Sequence, residues 1–559
     1  MTTHLLTNKP EASSTLDIVQ LTQLATDFFR QLPGTTDLGV SNGVTTGFQP
    51  STIVVPQSPQ AFGAPLLGFP SSSTFSRGSI PNVGNDPLDS LVEQSLLDRV
   101  HPQSFGFPGQ GDLESLVKTL FTPKLVSQQD AINGDHAYWD HTPGYSVQLN
   151  HQAALFDLNA VRRDFPILSE RVNGKHLAWL DNAATTQKPQ AVIDRLSYFY
   201  AHENSNIHRA AHELAARATD AYEAARNKVA KFLGAASSDE IIFVRGATEA
   251  INMLAQTYGK ENIKQGDEII VSLLEHHANI VPWQQLAQEK GAHIRVIPVD
   301  DNGQIVIEEF RKLLNSRTKL VSITQVSNAL GTVVPVKQVI DIAHQAGVKV
   351  IVDGAQAVSH MRVNVQALDA DFYVFSGHKV FGPTGIGVVF GKKALLEQLP
   401  PWQGGGNMIA DVTFERTIYQ GVPARFEAGT GNIADAVGLG AAIDYLEKLG
   451  MENIAQYEHD LLEYGTRQLL SVPGVRLIGT AKDKASVLSF VLAGYETEEV
   501  GRSLNEEGIA VRSGHHCAQP ILRRFGLEAT VRPSLAFYNT CEEIDRMADV
   551  VRSLSAKKK

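Results

Sequence analysis

From residue 156 to the C-terminus, short apolar runs alternate with stretches whose apolar positions recur every three to four residues. "EIIFVRG" (240–246) precedes "ATEAINMLAQTYG" (247–259), and "DEIIVSLL" (267–274) precedes "ANIVPWQQLAQEKG" (278–291). Further strand-like runs follow: "AHIRVIPV", "KLVSITQV", "VKVIVDG" and "DFYVFSG". Alternation of strands with helices at this spacing predicts an α/β fold with a mainly parallel sheet covered by helices. After about residue 433 the rhythm changes. Two long helical patterns, 432–450 and 451–470, lead into strands "ASVLSFVLAG" and "GIAVRSG" and a final helix over 541–554, which reads as a smaller α+β domain. The expected division is 1–155, 156–432 and 433–559.

The first 155 residues lack that order. One amphipathic segment places Ile18, Leu21, Ala25, Phe28, Phe29 and Leu32 on one helical face, with Asp17 in its first turn and Pro33-Gly34 as its stop. Two shorter ones lie at 86–100 and 111–123. Between them run Gly-, Ser- and Pro-rich stretches that cannot bury enough apolar surface to offset their ordering entropy. The expectation is a largely disordered arm with short sticky motifs.

Composition narrows the classes. A chain of 559 residues exceeds what one core supports, and 43% hydrophobic with 19% charged residues is an ordinary globular balance. A net charge of -11 argues against general binding to nucleic acid or anionic membranes. The N-terminal residues lack the basic and apolar regions of a secretory signal, and no apolar run has the length of a membrane span. Two cysteines, Cys517 and Cys541, exclude a disulfide scaffold and fit a reducing cytoplasm. No metal-ligand pattern stands out.

Lys379 follows a strand-like run in "VFSGHKVFGP", where an ammonium is costly unless it has a task. Desolvation would lower its pKa and suit it to form a Schiff base with a carbonyl cofactor. Such a cofactor needs a phosphate site, an acid for its ring nitrogen and a ring platform. "VRGATEAIN" supplies a strand followed by a helix N-terminus near Thr248, suited to an anion, and Ser376 and His378 add donors. Asp353, at the C-terminal end of the strand-like run in "IVDGAQ", lies where open α/β sheets bind ligands and suits a pyridinium nitrogen. Gln356 suits a phenolate oxygen, and His276 of "LLEHHANIVPW" suits stacking and proton transfer.

The ordered set "RGATEAIN", "EHHANIVPW", "TQVSNALGT", "VDGAQAV", "DFYVFSGHK", "RFEAGT", "RSGHHCA" and "RPSLAFYN" closely resembles the SufS-type, group II cysteine desulfurases of the class V aminotransferase superfamily, over about residues 157–559. The resemblance implies a fold-type I enzyme dependent on pyridoxal 5'-phosphate. Lys379 corresponds to the Schiff-base lysine, His276 to the ring-stacking proton carrier, Asp353 and Gln356 to the ring partners, and Thr248, Ser376 and His378 to the phosphate holders. Thr430 corresponds to a residue reaching the phosphate of a neighbouring subunit, which implies a homodimer. Asn328 and Arg532 match positions around the substrate carboxylate, and His208 and Arg512 match pocket-lining positions. Cys517 matches the persulfide-forming nucleophile in the short group II loop, whereas Cys541 reads as a packing thiol. The implied reaction converts L-cysteine to L-alanine and passes sulfur to a SufE-like acceptor for iron–sulfur cluster assembly. A selenocysteine lyase or another superfamily enzyme is the alternative. The arm is similar to the N-terminal extension of desulfurases carried as cargo by encapsulin nanocompartments, which implies a shell protein as a partner.

Overall fold

The computed structural model describes residues 156–208 and 211–558. The expectations for the arm, including its three amphipathic segments, lie outside the described residues.

Six of those apolar runs and a seventh strand form one sheet. Its strands are β1 (Ile241–Val244), β2 (Glu268–Ser272), β3 (His293–Ile297), β4 (Thr318–Thr324), β5 (Lys349–Asp353), β6 (Phe372–Ser376) and β7 (Gly387–Gly391). Their spatial order is β1-β7-β6-β5-β4-β2-β3. The pairs β2/β3, β2/β4, β4/β5 and β5/β6 are parallel, whereas β7 runs against both of its neighbours. Strands β2, β6 and β7 are buried at every position, because helices cover both faces. A run such as Phe372-Tyr373-Val374-Phe375 is therefore apolar throughout and does not alternate.

Helix α1 (Glu213–Leu233) packs an Ala- and Val-rich face inward and ends on Gly234 at φ 67°, the left-handed conformation that closes a helix. The short helix α2 (Ala247–Leu254) follows β1 directly. Two longer helices, α3 (Ile433–Leu449) and α4 (Met451–Leu470), come after the sheet. A second sheet of four short antiparallel strands, β8 (Val475–Leu477), β9 (Phe490–Leu492), β10 (Arg512–Gly514) and β11 (Thr530–Arg532), has the order β8-β9-β11-β10. It packs with α5 (Thr497–Glu506) and α6 (Cys541–Lys557) around Phe490, Leu504, Val531 and Met547. Helix α6 opens on a capping box formed by Thr540 and Glu543.

Two differences from the sequence reading matter for the site. "GVVFG" (387–391) is a full strand that its Gly-rich setting concealed. The residues Ala178–Trp179 pair in parallel with Ile509–Ala510, and Ser534 donates its N–H to the Leu180 carbonyl at 2.7 Å, so a segment early in the described chain borders the second sheet.

Candidate active site

The carboxyl ends of β1, β2, β4, β5 and β6 point at one cavity of about 220 Å3. Strand β5 ends in Asp353, and β6 ends in Ser376 followed by a single 3-10 turn, Gly377–Lys379. Two glycines make this geometry possible. A Cβ on Gly387 would lie 2.4 Å from the Gly246 Cα, so β7 passes beneath the start of α2 only as glycine. A Cβ on Gly354 would lie 2.1 Å from the Tyr373 hydroxyl, in space that the buried phenol fills.

Of the thirteen residues singled out in the sequence, eleven line this cavity: Thr248, His276, Asn328, Asp353, Gln356, Ser376, His378, Lys379, Arg512, Cys517 and Arg532. Thr430 does not. It borders a second cavity of about 660 Å3 with Tyr222, Arg245 and Glu427. His208 also lies apart, with its ring 3.0 Å from the Glu223 carboxylate.

The floor is desolvated. Burial brings the Lys379 amine down to about 8, with Asp353 pulling it up and the Arg532 and Arg512 guanidiniums pushing it down. Burial raises the Asp353 carboxyl, which the Ala355 N–H at 3.0 Å and the Lys379 charge counteract. Ser376 Oγ accepts the Ala247 N–H at 2.8 Å, tying the first turn of α2 to the end of β6. His276 is held down to about 3 by burial, then by Lys379, His277 and Arg532. His378 is held down to about 4 by burial, then by Lys379 and Lys188. Both imidazoles are neutral at pH 7. Gln356 donates to the Ala183 carbonyl at 2.6 Å, and Ala183 itself lines the cavity.

The rim is built from distant segments. Arg532 is buried and donates from Nη1 to the Asn328 carbonyl at 3.0 Å and from Nη2 to Asp181 at 3.1 Å. Asp181 also pairs with Arg512 at 3.2 Å. Asn328 donates from Nδ2 to the His516 carbonyl at 2.7 Å, which anchors the loop carrying Cys517. His516 and Cys517 hold φ values of 52° and 53°, the left-handed region that costs non-glycine residues about 1 kcal/mol or more. Cys517 is exposed.

Sequence reasoning missed the segment Asp181–Lys188. Asp181 follows the apolar run "LAWL", the same strand-end signal that marks Asp353. Four donors from this segment converge on the His378 carbonyl: the Thr186 N–H and the Thr185 and Thr186 hydroxyls at 3.1 Å, and Lys188 Nζ at 3.2 Å. They fix the peptide that leads into Lys379. His516 was missed as a lining residue as well; its Nε2 lies 2.8 Å from the Thr530 hydroxyl.

Residues 178–547 match the family described as Aminotransferase class-V. That span is about two thirds of the chain, and it contains every cavity-lining residue named above.

The chain belongs to the class-V aminotransferase family.

Within that family it is similar to a protein named "Cysteine desulfurase" from Synechococcus elongatus, 68% identical over 402 residues. The match covers 72% of this chain and 64% of that relative, so the chain spans less than two thirds of its length. It is also similar to "Probable cysteine desulfurase 1" of Mycobacterium leprae, 52% identical over 554 residues, covering 96% of this chain and 87% of the relative. Among solved structures, the cysteine desulfurase CsdA of Escherichia coli, in an S-sulfonic acid form, superposes with a TM-score of 0.67 at 39% identity, covering 72% of this chain and 99% of that one.

Class-V aminotransferases of this kind depend on pyridoxal 5'-phosphate, and the cavity fits that group. Three buried polar atoms on its wall have no partner among the described residues: Arg532 Nε, Asn328 Oδ1 and His516 Nδ1. Helix α2 begins at Gly246 without a side-chain cap, which leaves N–H groups at its start for an anion. Lys379, Asp353 and His276 supply an amine, an acid and a ring within the same enclosure.

Proposed function

We propose that this chain is a cysteine desulfurase that converts L-cysteine to L-alanine and carries the released sulfur as a persulfide on Cys517. The observation that carries this reading is the placement of an exposed cysteine at the mouth of a cavity whose floor holds Lys379 and Asp353. When bound, pyridoxal phosphate would supply an electron sink for the substrate. Lys379 would anchor the cofactor, Asp353 would pair with its ring nitrogen and Gln356 with its phenolate oxygen, and Thr248, Ser376 and His378 would hold its phosphate. With a pKa near 8, the Lys379 amine retains a neutral fraction at pH 7 and takes the Cα proton. Arg532 and Asn328 bind the substrate carboxylate, with Arg512 beside them on the wall. The Cys517 thiolate attacks the substrate sulfur: an S–S bond forms, the C–S bond breaks with its electron pair left on Cβ, and Cβ and Cα each take a proton to give alanine.

The test follows the thiol. Cys517→Ala is expected to bind cofactor normally and to lose alanine production from cysteine. Full cysteine turnover in that variant overturns the persulfide assignment. Turnover of selenocysteine without cysteine turnover in the wild type replaces the reading with a selenocysteine lyase.

The short loop before Cys517 supports a SufS-type, group II subtype with a SufE-like sulfur acceptor. The placement of Thr430 and His208 away from their own cavity supports a homodimer in which they serve the neighbouring copy. The two sheets support a cofactor-binding domain over 156–432 and a smaller one over 433–559. The alignment with the Mycobacterium leprae relative takes in most of the first 155 residues, which supports a shared role for the arm. That role is loading into an encapsulin shell in the cytoplasm, by several short apolar motifs acting with avidity. Among the described residues no helix is long and apolar enough to cross a membrane. Fusing residues 1–150 to a fluorescent protein and co-expressing it with the cognate shell is expected to yield fluorescent shells; dark shells defeat the cargo reading.

A further inference from the structure

Two loops facing the cavity repeat one turn. In each, a His-His pair precedes a small residue: His276-His277-Ala278 and His515-His516-Cys517. In each, the first imidazole accepts at Nδ1 the backbone N–H two residues on, Ala278 at 3.0 Å and Cys517 at 3.1 Å. The loops are joined, because the His277 N–H donates to the Cys517 carbonyl at 2.8 Å and the rings of His277 and His515 stack with centroids 5.9 Å apart.

A ring nitrogen facing a hydroxyl leaves its tautomer open. One facing a backbone N–H does not, since that group only donates and the nitrogen must offer its lone pair. The neutral ring of His276 therefore carries its proton on Nε2, the nitrogen away from the turn. Adding a second proton at Nδ1 would break the Ala278 bond and open the turn that positions the ring.

We propose that His276 works as a fixed Nε2–H hydrogen-bond donor to the bound cofactor or substrate and carries no proton through the reaction. The inference rests on the desulfurase reading and replaces the proton-carrier role suggested by the sequence. The surroundings agree. Burial, and after it the charges of Lys379, His277 and Arg532, hold the ring's pKa low. Neither neighbouring carboxylate supports an imidazolium. Glu275 is turned to Ser272, Asn279 and the Thr324 N–H, and Asp353 accepts from Ala355. Proton transfer at Cα is left to Lys379.

The test uses full-length holoenzyme with 15N-labelled histidine, the His276 signals being assigned by their loss in His276→Gln. The expected result is a neutral ring protonated at Nε2 that does not titrate between about pH 6 and pH 9. A ring protonated at Nδ1, or one titrating in that range, overturns the inference whatever the enzyme's substrate proves to be. Kinetics give an independent reading. His276→Gln keeps an N–H donor but accepts no proton, so it is expected to lose about tenfold in kcat, whereas His276→Phe loses on the order of 10² to 10³, the usual cost of one donor. Equal losses in the two variants also overturn it.

Discussion

The floor and the rim of the cavity are built on opposite terms. The floor sits at strand ends inside the main sheet, where Asp353 and Lys379 are cut off from bulk water and their proton affinities move toward each other. The rim is assembled by hydrogen bonds between distant loops, with Arg532 reaching Asp181 and Asn328, and Asn328 holding the His516 carbonyl. Its cysteine is exposed on left-handed backbone. Desolvation tunes the floor, while the rim depends on register between segments. On the proposed desulfurase reading, a nucleophile that hands sulfur onward would belong on an exposed rim, and an amine that must lose its charge on a dry floor.

This contrast can be broken at several points. The largest effect is expected from Lys379→Ala, which removes the one lysine that lines the cavity among the described residues: kcat falls by at least about 10⁴-fold and the visible absorbance of lysine-bound cofactor disappears. An absorbance spectrum with a turnover assay checks both. Arg532→Lys attacks the rim instead. Lysine cannot reach Asn328 and Asp181 with two prongs, so KM for cysteine is expected to rise about 10- to 100-fold with cofactor binding kept. Saturation kinetics separate the two. A third prediction concerns pH. In the cofactor-free protein the Lys379 amine has its pKa lowered from 10.5 to about 8, so the unfolded chain binds the extra proton between these values. Stability from this group is fully present above the unfolded value and is lost as pH falls towards 8. Lys379→Met lacks that dependence and should gain on the wild type by up to about 3 kcal/mol near pH 7, with the gap closing towards pH 10. Paired melting curves of the cofactor-free proteins read the sign. The smallest effect belongs to Cys541→Ala. This half-buried thiol at the start of α6, with its pKa raised by burial, lies outside the cavity, and kcat should change less than about twofold.

The floor was legible in the sequence because each of its residues ends or follows an apolar run long enough to show its period. Asp353 closes "VKVIVD" and Lys379 follows "FYVFSGH". The rim was legible only in part, through resemblance, which supplied Asn328, Arg512, Arg532 and Cys517 but neither Asp181 nor His516. Arg532 ends a three-residue strand and Asp181 follows a two-residue one, both too short to carry a period. Their pairing joins positions about 350 residues apart. The clamp of Thr185, Thr186 and Lys188 on the His378 carbonyl was invisible for the same reason: side-chain donors aimed at a remote main-chain oxygen leave no pattern in either segment. Strand β7 was hidden by its terminal glycines, one of which, Gly387, lets it pass beneath α2.

The parallel pairing of Ala178–Trp179 with Ile509–Ala510 has a consequence for biosynthesis. The first partner leaves the ribosome about 330 residues before the second. At roughly 5–20 residues per second the early strand waits on the order of half a minute, with its apolar flank Leu177, Ala178 and Leu180 uncovered. The central sheet can close in that interval, since all its strands lie between. The rim cannot, because Asp181 acquires Arg532 only after about 350 further residues have been made. The rim is therefore assembled after the floor, and a chain cut short before Arg532 lacks the residue that ties Asp181 to Asn328.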